Sequence, residues 1–212
     1  MKFRTAQINA LHGLLLEFGE TVHKGRASLD KAMPEVLERL REKRAPFLLE
    51  LLEEQYPRLN EIDEQIEQVE KQLTAWAKQN ADCQRIMKIL GIGALIATAA
   101  IATMDDPSAF RSGREFSAYL GLVPKQTGTG GRVKLLGISK RGDTYLRTLF
   151  IHGARVATLL TKAPLPWVTE LKKRRPVCVA IVGMANKQAR TVWALVADQQ
   201  EYQKDYVSVR PY

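Results

Sequence analysis

The chain has 212 residues, of which 45% are hydrophobic, and this suffices for one core or for one core with an extension. Its net charge of +9 is uneven, because residues 1–80 carry 12 basic and 14 acidic side chains whereas residues 81–212 carry 20 and 9. The second part therefore predicts a polyanionic partner, nucleic acid above all. No cysteine or histidine has metal-ligand spacing, and no apolar run is long enough to span a bilayer. We therefore expect a cytoplasmic protein without a zinc site, disulfides or a membrane anchor.

The first part of the chain predicts helices. Apolar residues recur on one face of a helix over residues 3–18, which would end at Gly19. A second helical stretch is predicted from about Asp30, started or broken by Pro34 and Pro46.

Residues 59–76 carry the most regular pattern of the sequence. Their apolar residues step by three and four positions and are Leu59, Ile62, Ile66, Val69, Leu73 and Trp76. On a helix from Pro57 to Lys78 this heptad seam predicts a coiled coil that pairs subunits into a homo-oligomer. The same seam would equally serve an antiparallel hairpin with the helix of residues 30–55 inside one subunit.

Residues 83–104 predict a helix-hairpin-helix-like element. One helix runs to Leu90, a turn contains Gly91 and Gly93, and a second apolar helix begins near Ala94. Glycines let such a turn approach a phosphate, and the free N–H groups of the second helix point towards it. The alternative is a glycine-kinked hairpin that is merely buried.

Further helices are predicted over residues 108–120, 143–160 and 177–198. Asp105 and Asp106 are interpreted as a turn and a cap for the next helix, because adjacent side chains point in different directions and do not form a metal pair.

The predicted fold class is mainly α. A long helical or coiled-coil region over residues 1–80 precedes a compact helical domain over residues 81–212. That domain would contain the helix-hairpin-helix-like element and a glycine-rich basic loop.

The glycine-rich loop lies in residues 121–147, GLVPKQTGTGGRVKLLGISKRGDTYLR. From Lys125 to Arg141 it contains five cations and no acid, together with the hydroxyls of Thr127, Thr129 and Ser139. Glycines, hydroxyls and cations together favour binding of phosphate groups. The predicted contacts to DNA are Gly91, Gly93, Lys125, Gly130, Gly131, Arg132, Lys134, Lys140, Arg141 and Arg147.

Several strings of this sequence are shared with a known family: ILGIGALIATAAIA, GLVPKQTGTGG, LLGISKRGDTYLRTLFIHGAR and ANKQARTVWAL, with TAQINALHGLLLEFG nearer the start. They resemble the linker and C-terminal domain of the IS116/IS110/IS902 family of bacterial insertion-sequence transposases. The resemblance extends over nearly the whole chain. It implies a DNA recombinase that acts as an oligomer, and some members of the family are guided by a structured RNA.

The resemblance also implies a division of chemistry. Full-length members have a RuvC-like nuclease domain whose carboxylates bind Mg²⁺, and this domain is expected to lie outside the present sequence. No metal ligand or cofactor is therefore assigned to this chain, and Mg²⁺ is expected only for the nuclease domain. The family's serine nucleophile corresponds to Thr129 here, with Thr127 and Ser139 as other hydroxyls. Thr129 would alternatively be a loop residue that contacts phosphate.

Three hypotheses follow from the sequence. The first is the C-terminal portion of a DNA-transposing recombinase, with the enzymatic activity of this chain left open. The second is a non-catalytic nucleic-acid-binding remnant or regulator that oligomerises through its helical region. The third is a helical assembly protein whose basic half meets an acidic protein.

Overall fold

The computed structural model describes residues 2–42, 46–161 and 165–203. Across this part of the chain the fold is mainly α, as predicted, with a single two-stranded sheet. Two compact units are divided between Gln72 and Leu73, inside the longest helix.

The described residues form nine α-helices and two β-strands. They are α1 (Lys2–Glu17), α2 (Arg26–Glu42), α3 (Pro46–Gln79), α4 (Ala81–Met87), α5 (Ala94–Met104), α6 (Gly113–Tyr119), β1 (Pro124–Thr129), β2 (Arg132–Ile138), α7 (Thr144–Arg155), α8 (Pro166–Arg174) and α9 (Val177–Ala197). A 3₁₀ turn, Pro107–Ala109, precedes α6, and a π-helical turn, Val156–Leu160, extends α7. No helix in these ranges is both long and apolar enough to cross a membrane.

The first unit packs α1, α2 and the first half of α3 around an apolar core. Each helix contributes residues that recur every three, four or seven positions, as an amphipathic helix requires. The buried residues are Leu11, Leu15, Leu29, Met33, Val36, Leu40, Leu48, Leu52 and Leu59. The helix predicted over residues 3–18 is confirmed as α1.

Two prolines lie inside helices of this unit, contrary to the sequence-based expectation. Pro34 does not break α2, and α3 begins at Pro46 and continues through Pro57. An internal proline costs about 3 kcal/mol in helix stability. Burial of a leucine or methionine side chain returns about 1.5–3 kcal/mol. Several such side chains flank each proline, so packing outweighs the local cost.

The heptad seam of α3 is divided between two environments. Leu59 is fully buried in the core of the first unit, so the seam begins as an intramolecular contact. Further along the helix Val69 and Trp76 are 53% and 46% exposed. Packing within the chain therefore explains the start of the seam and leaves its later residues available.

The second unit is built around α9, which contacts α4, α6, α7 and α8. Its largest fully buried side chains are those of Phe116 on α6 and Phe150 on α7, and the nearly all-apolar α5 packs into the same core. The predicted helices over residues 143–160 and 177–198 are confirmed.

Polar caps set the boundaries of the short elements. The Asp106 carboxylate accepts a hydrogen bond from the backbone N–H of Ser108 at 2.8 Å, which confirms the predicted cap. The helix predicted over residues 108–120 begins only at Gly113, because the Ser112 hydroxyl caps it by accepting from the Glu115 N–H.

Candidate nucleic-acid interface

The glycine-rich basic loop is a β-hairpin, a structure that the sequence interpretation missed. Strands β1 and β2 pair antiparallel, and only Gly130 and Gly131 connect them. Their φ angles of +58° and +79° are those of a type I′ turn, which matches the twist of the two strands. The sequence signal was present, since Thr-Gly-Gly-Arg is flanked by alternating residues with high β propensity.

The hairpin is exposed to solvent on both faces. Every residue of β1 and β2 is exposed except Ile138, which is half-buried at the base. A two-stranded hairpin with no packed face is marginally stable in water. Both faces of the hairpin are therefore open to a ligand.

The two faces of the hairpin differ in chemistry. Directly paired residues of two antiparallel strands point to the same side. Thr127 pairs with Lys134 and Thr129 pairs with Arg132, so one face carries two hydroxyls and two cations. We call these four residues the cationic face. The other face holds two other pairs, Gln126 with Leu135 and Gly128 with Val133.

Backbone hydrogen bonds fix the base of the hairpin. Ser139 donates its N–H to the carbonyl oxygen of Val123 at 2.8 Å, and Lys140 donates to Gly121 at 3.2 Å. Just beyond, Gly142 has a φ of +72°, and a Cβ there would lie 1.7 Å from the carbonyl oxygen of Tyr119. The hairpin therefore returns to α6 through a contact that admits no side chain.

Arg147 locks this base from α7. Its side chain is 7% exposed, and its guanidinium donates to the carbonyl oxygens of Leu120 at 3.1 Å and Arg141 at 3.0 Å. A third bond reaches the Thr144 hydroxyl at 3.0 Å. The sequence interpretation gave Arg147 a phosphate contact on charge alone. Its placement favours a structural role, because its donors are directed into the protein.

Asn186 on α9 is a second anchor, which sequence reasoning missed. Its side-chain amide donates to the Ser117 hydroxyl at 2.6 Å and approaches the carbonyl oxygen of Leu122 at 3.4 Å. Ser117 is fully buried on α6, and Leu122 leads into the hairpin. An amide among the apolar residues that face inwards along α9 was the available signal.

The remaining predicted cations are free to meet a ligand. All are exposed, and within the described part of the chain none forms an ion pair: they are Lys125, Arg132, Lys134, Lys140 and Arg141. No acid lies between Gly121 and Gly142. The hairpin and its base therefore form a concentrated positive potential without internal neutralisation.

Residues 83–166 match the model of the transposase IS116/IS110/IS902 family. This chain belongs to that transposase family. The matched stretch begins in α4 and contains the hairpin, its base and α7.

Individual transposases match almost the full chain. A probable family 20 transposase of Pseudomonas aeruginosa is 41% identical over 95% of this chain and 61% of its own length. The transposase for insertion sequence element IS1111A of Coxiella burnetii is 41% identical over 95% of this chain and 57% of its own length. For the IS1328 transposase of Yersinia enterocolitica these values are 33%, 95% and 60%. The chain thus spans about three fifths of the length of the curated relatives that it matches.

Within this chain, Thr129 lies on the cationic face beside the turn, and its side chain is exposed. Thr127 shares that face, whereas Ser139 lies at the base of the hairpin and is half-buried. The segment 121–142 contains hydroxyls but no aspartate, glutamate or histidine that would accept a proton from them. The structure therefore presents Thr129 to a ligand without an activating side chain from the hairpin.

The two predicted turn glycines, Gly91 and Gly93, lie in different surroundings. A Cβ on Gly91 would lie 2.3 Å from the carbonyl oxygen of Gly153 on α7, so Gly91 serves helix packing. Gly93 is exposed and precedes the first residue of α5, and a Cβ added to it would meet nothing within 4 Å. Of this turn, Gly93 and the first N–H groups of α5 are the groups open to a phosphate.

Proposed function

We propose that this chain is the DNA-binding portion of a transposase that takes part in DNA transposition and recombination in the cytoplasm. The backbone of the DNA would lie against the cationic face of the hairpin. The observation that carries the proposal is the exposed face of Thr127, Thr129, Arg132 and Lys134, whose cations lack ion pairs among the described residues.

The proposed contacts are to phosphate groups and not to base edges. Threonine hydroxyls and basic side chains bind phosphate oxygens, position the protein and carry no sequence information. Lys125, Lys140 and Arg141 would extend this contact towards the base of the hairpin. The Gly93 turn would add backbone N–H groups at the start of α5.

Salt dependence of binding tests the proposal. Each neutralised phosphate lowers the slope of log K against log salt by about 0.9 on duplex DNA. We expect Arg132→Gln with Lys134→Gln to make that slope shallower by about 1.8, as measured by fluorescence anisotropy with a labelled duplex. The matched control, Lys31→Gln with Lys78→Gln, removes the same charge from exposed sites on α2 and α3. The proposed face would be refuted if both double variants changed the slope equally, or if the affinity of the wild-type protein did not depend on salt concentration.

The family position of Thr129 adds a covalent step to the proposal. The Thr129 oxygen would attack a backbone phosphorus, forming a threonine–phosphate ester while one strand end leaves as an alcohol. The hydroxyl proton would leave to a base outside residues 121–142, and the departing strand oxygen would take up a proton. The step needs no oxidant or reductant.

A covalent DNA adduct on a denaturing gel tests this step. Thr129→Ala should abolish the adduct, Thr127→Ala should retain it, and Thr129→Ser should retain or increase it by removing a methyl group. An adduct that forms equally well with Thr129→Ala would show that another group is the nucleophile.

The second candidate function is a non-catalytic nucleic-acid-binding module. The absence of a proton acceptor in residues 121–142 favours it. Among the described residues no group of three or more histidine, cysteine, aspartate or glutamate side chains could hold a metal ion. Salt-sensitive binding without any adduct, even with Thr129→Ser, would support this candidate.

We also propose that the exposed seam of α3 pairs with a second copy of the chain. Ile66 and Leu73 are half-buried, and Val69 and Trp76 are exposed in the same heptad register. Val69→Glu should convert a dimer into a monomer in light scattering, whereas the adjacent exposed change Gln68→Glu should not. A mass that is unchanged by Val69→Glu would exclude this seam as the interface.

A structured guide RNA would present the same phosphate chemistry to the hairpin. An RNA transcribed from the flank of the element should then compete with duplex DNA more strongly than an unstructured RNA of equal length. Equal competition by the two RNAs would refute the proposed binding of a structured guide RNA.

A further inference from the structure

Helix α9 runs antiparallel along α6, which ends at the hairpin. Asn186 bonds Ser117 near the C-terminal end of α6. One turn further along α9, Arg190 lies against Gly113 at the start of α6, where a Cβ would be 2.7 Å from the Arg190 carbonyl oxygen. The seven residues of α6 therefore separate the base of the hairpin from Arg190 by about 10 Å, at ~1.5 Å per residue.

Two cations project into solvent from this part of α9. Lys187 and Arg190 are exposed and three positions apart, so their side chains are neighbours on one face of the helix. The Lys187 ammonium also lies 5.1 Å from the centroid of the Trp167 ring on α8. This cation–π contact holds the ammonium in place.

The pair is not neutralised by the protein around it. Helix α9 contains no acid, and neither cation has an ion pair within the described ranges. The carboxylate of Glu115 on α6 accepts a hydrogen bond from the Arg111 N–H at 2.7 Å, so it serves the helix start. Partial burial, and then the charge of Arg190, lower the pKa of Lys187. An anion placed between these two cations would relieve their repulsion.

We propose that Lys187 and Arg190 form a second contact for the backbone of duplex DNA, continuous with the hairpin along α6. The spacing fits, since the distance of about 10 Å from the base of the hairpin to Arg190 corresponds to about three base pairs of rise. A duplex that lies on the cationic face and continues past the base of the hairpin would therefore bring phosphates to Lys187 and Arg190. This contact rests on the proposed function, because it assumes that the hairpin binds DNA.

The test compares charge-removing and charge-preserving changes in the full chain. Lys187→Gln with Arg190→Gln should make the slope of log K against log salt shallower by about 1.8, the value for two lost phosphate contacts. Lys187→Arg with Arg190→Lys should keep the wild-type slope. The charge-matched control is again Lys31→Gln with Lys78→Gln. Circular dichroism of each variant verifies that the helices are retained.

Duplex length sharpens the assignment. On a series of shortened duplexes, the α9 double variant should bind long duplexes more weakly than wild type does. Below the length at which a duplex no longer spans both contacts, the two proteins should bind equally well. The hairpin double variant should remain defective at every length that binds.

The outcomes separate the two proposals. If wild-type protein binds no DNA, the proposed function fails. If the hairpin variant changes the slope while the α9 variant equals the Lys31 and Lys78 control, only the second contact is refuted. If the α9 double variant does not fold, Arg190→Gln alone takes its place. This single variant should make the slope of log K against log salt shallower by about 0.9. An unchanged slope in that variant would refute the contribution of Arg190.

Discussion

The cations of the first unit and those of the hairpin are the same residue types with opposite uses. In the first unit each of five arginines contacts a carboxylate: Arg4 and Arg26 with Asp63, Arg39 with Glu20, Arg41 with Glu53, and Arg58 with Glu54. On the hairpin the described cations have no such partner. A cation that is paired internally is already neutralised and adds at most about 1 kcal/mol where the pair is exposed, whereas an unpaired cation on an exposed element is available to a ligand.

Replacement of Arg147 should give the largest effect in a test of this distinction between bonded and unpaired cations. Arg147 is close to the hairpin but is buried like a structural residue, with three bonds inside the protein. Arg147→Ala would leave one buried and one partly buried carbonyl group without that donor, and we expect a loss of about 3 kcal/mol in the free energy of unfolding. Urea unfolding followed by tryptophan fluorescence measures this, because Trp76, Trp167 and Trp193 all lie in the second unit.

The hairpin cations provide the control for Arg147. Arg132→Gln should weaken DNA binding while leaving the urea midpoint within the error of wild type, because exposed substitutions rarely exceed about 0.5 kcal/mol. An unchanged midpoint in Arg147→Ala, with lost binding, would instead make Arg147 a direct phosphate contact.

The base of the hairpin offers a test of geometry without any change in charge. Gly142→Ala places a Cβ against the Tyr119 carbonyl at a left-handed φ, and we expect at least about 2 kcal/mol of destabilisation. Gly137→Ala in β2 is the matched control, since nothing lies within 4 Å of its Cβ position. Equal urea midpoints for the two variants would show that the base does not hold the hairpin.

The ionic network of the first unit should depend on acid pH. Burial by itself raises the pKa of Asp63, but hydrogen bonds and charges from Arg4 and Arg26 outweigh it and hold that pKa below its ordinary value. Stability from Asp63 is then present above the unfolded-state pKa and is lost as the pH falls through the lower, folded-state pKa.

Asp63→Asn should therefore cost up to about 1 kcal/mol at pH 7 and progressively less below about pH 4. Thermal melting by circular dichroism at several pH values measures the difference between wild type and variant. A difference that grows as the pH falls would contradict the assigned role of Asp63.

The two cysteines allow the same comparison of a buried and an exposed side chain for a neutral group, the thiol. Of the predicted effects, this is the smallest. Burial, with the nearby charge of Asp82, raises the pKa of the Cys83 thiol to about 11, whereas Cys178 is exposed. A thiol reagent at pH 8 should label one cysteine per chain in native protein and two in denaturant. Rapid labelling of both in native protein would mean that α4 opens readily.

Helix positions were predictable where the apolar period was long, as in α7 and α9. The prolines led to wrong helix boundaries, because a sequence shows that an internal proline destabilises a helix. It does not show the burial of neighbouring side chains that offsets this cost. The hairpin was missed because its glycines and cations were interpreted as a loop, although Gly130 and Gly131 are a hairpin signal. Its exposed cations were nevertheless identified, since their charge needed no knowledge of the fold.

The sequence by itself determined the mainly helical architecture, the basic second part and the family resemblance, because periodicity, charge and motif strings are local properties. Only the tertiary structure decided which polar groups are available to a ligand. It buried Arg147 and packed Gly91 against Gly153, while it left Arg132 and Lys134 on one open face. The physical reason is that availability depends on the partners which distant segments bring to each side chain.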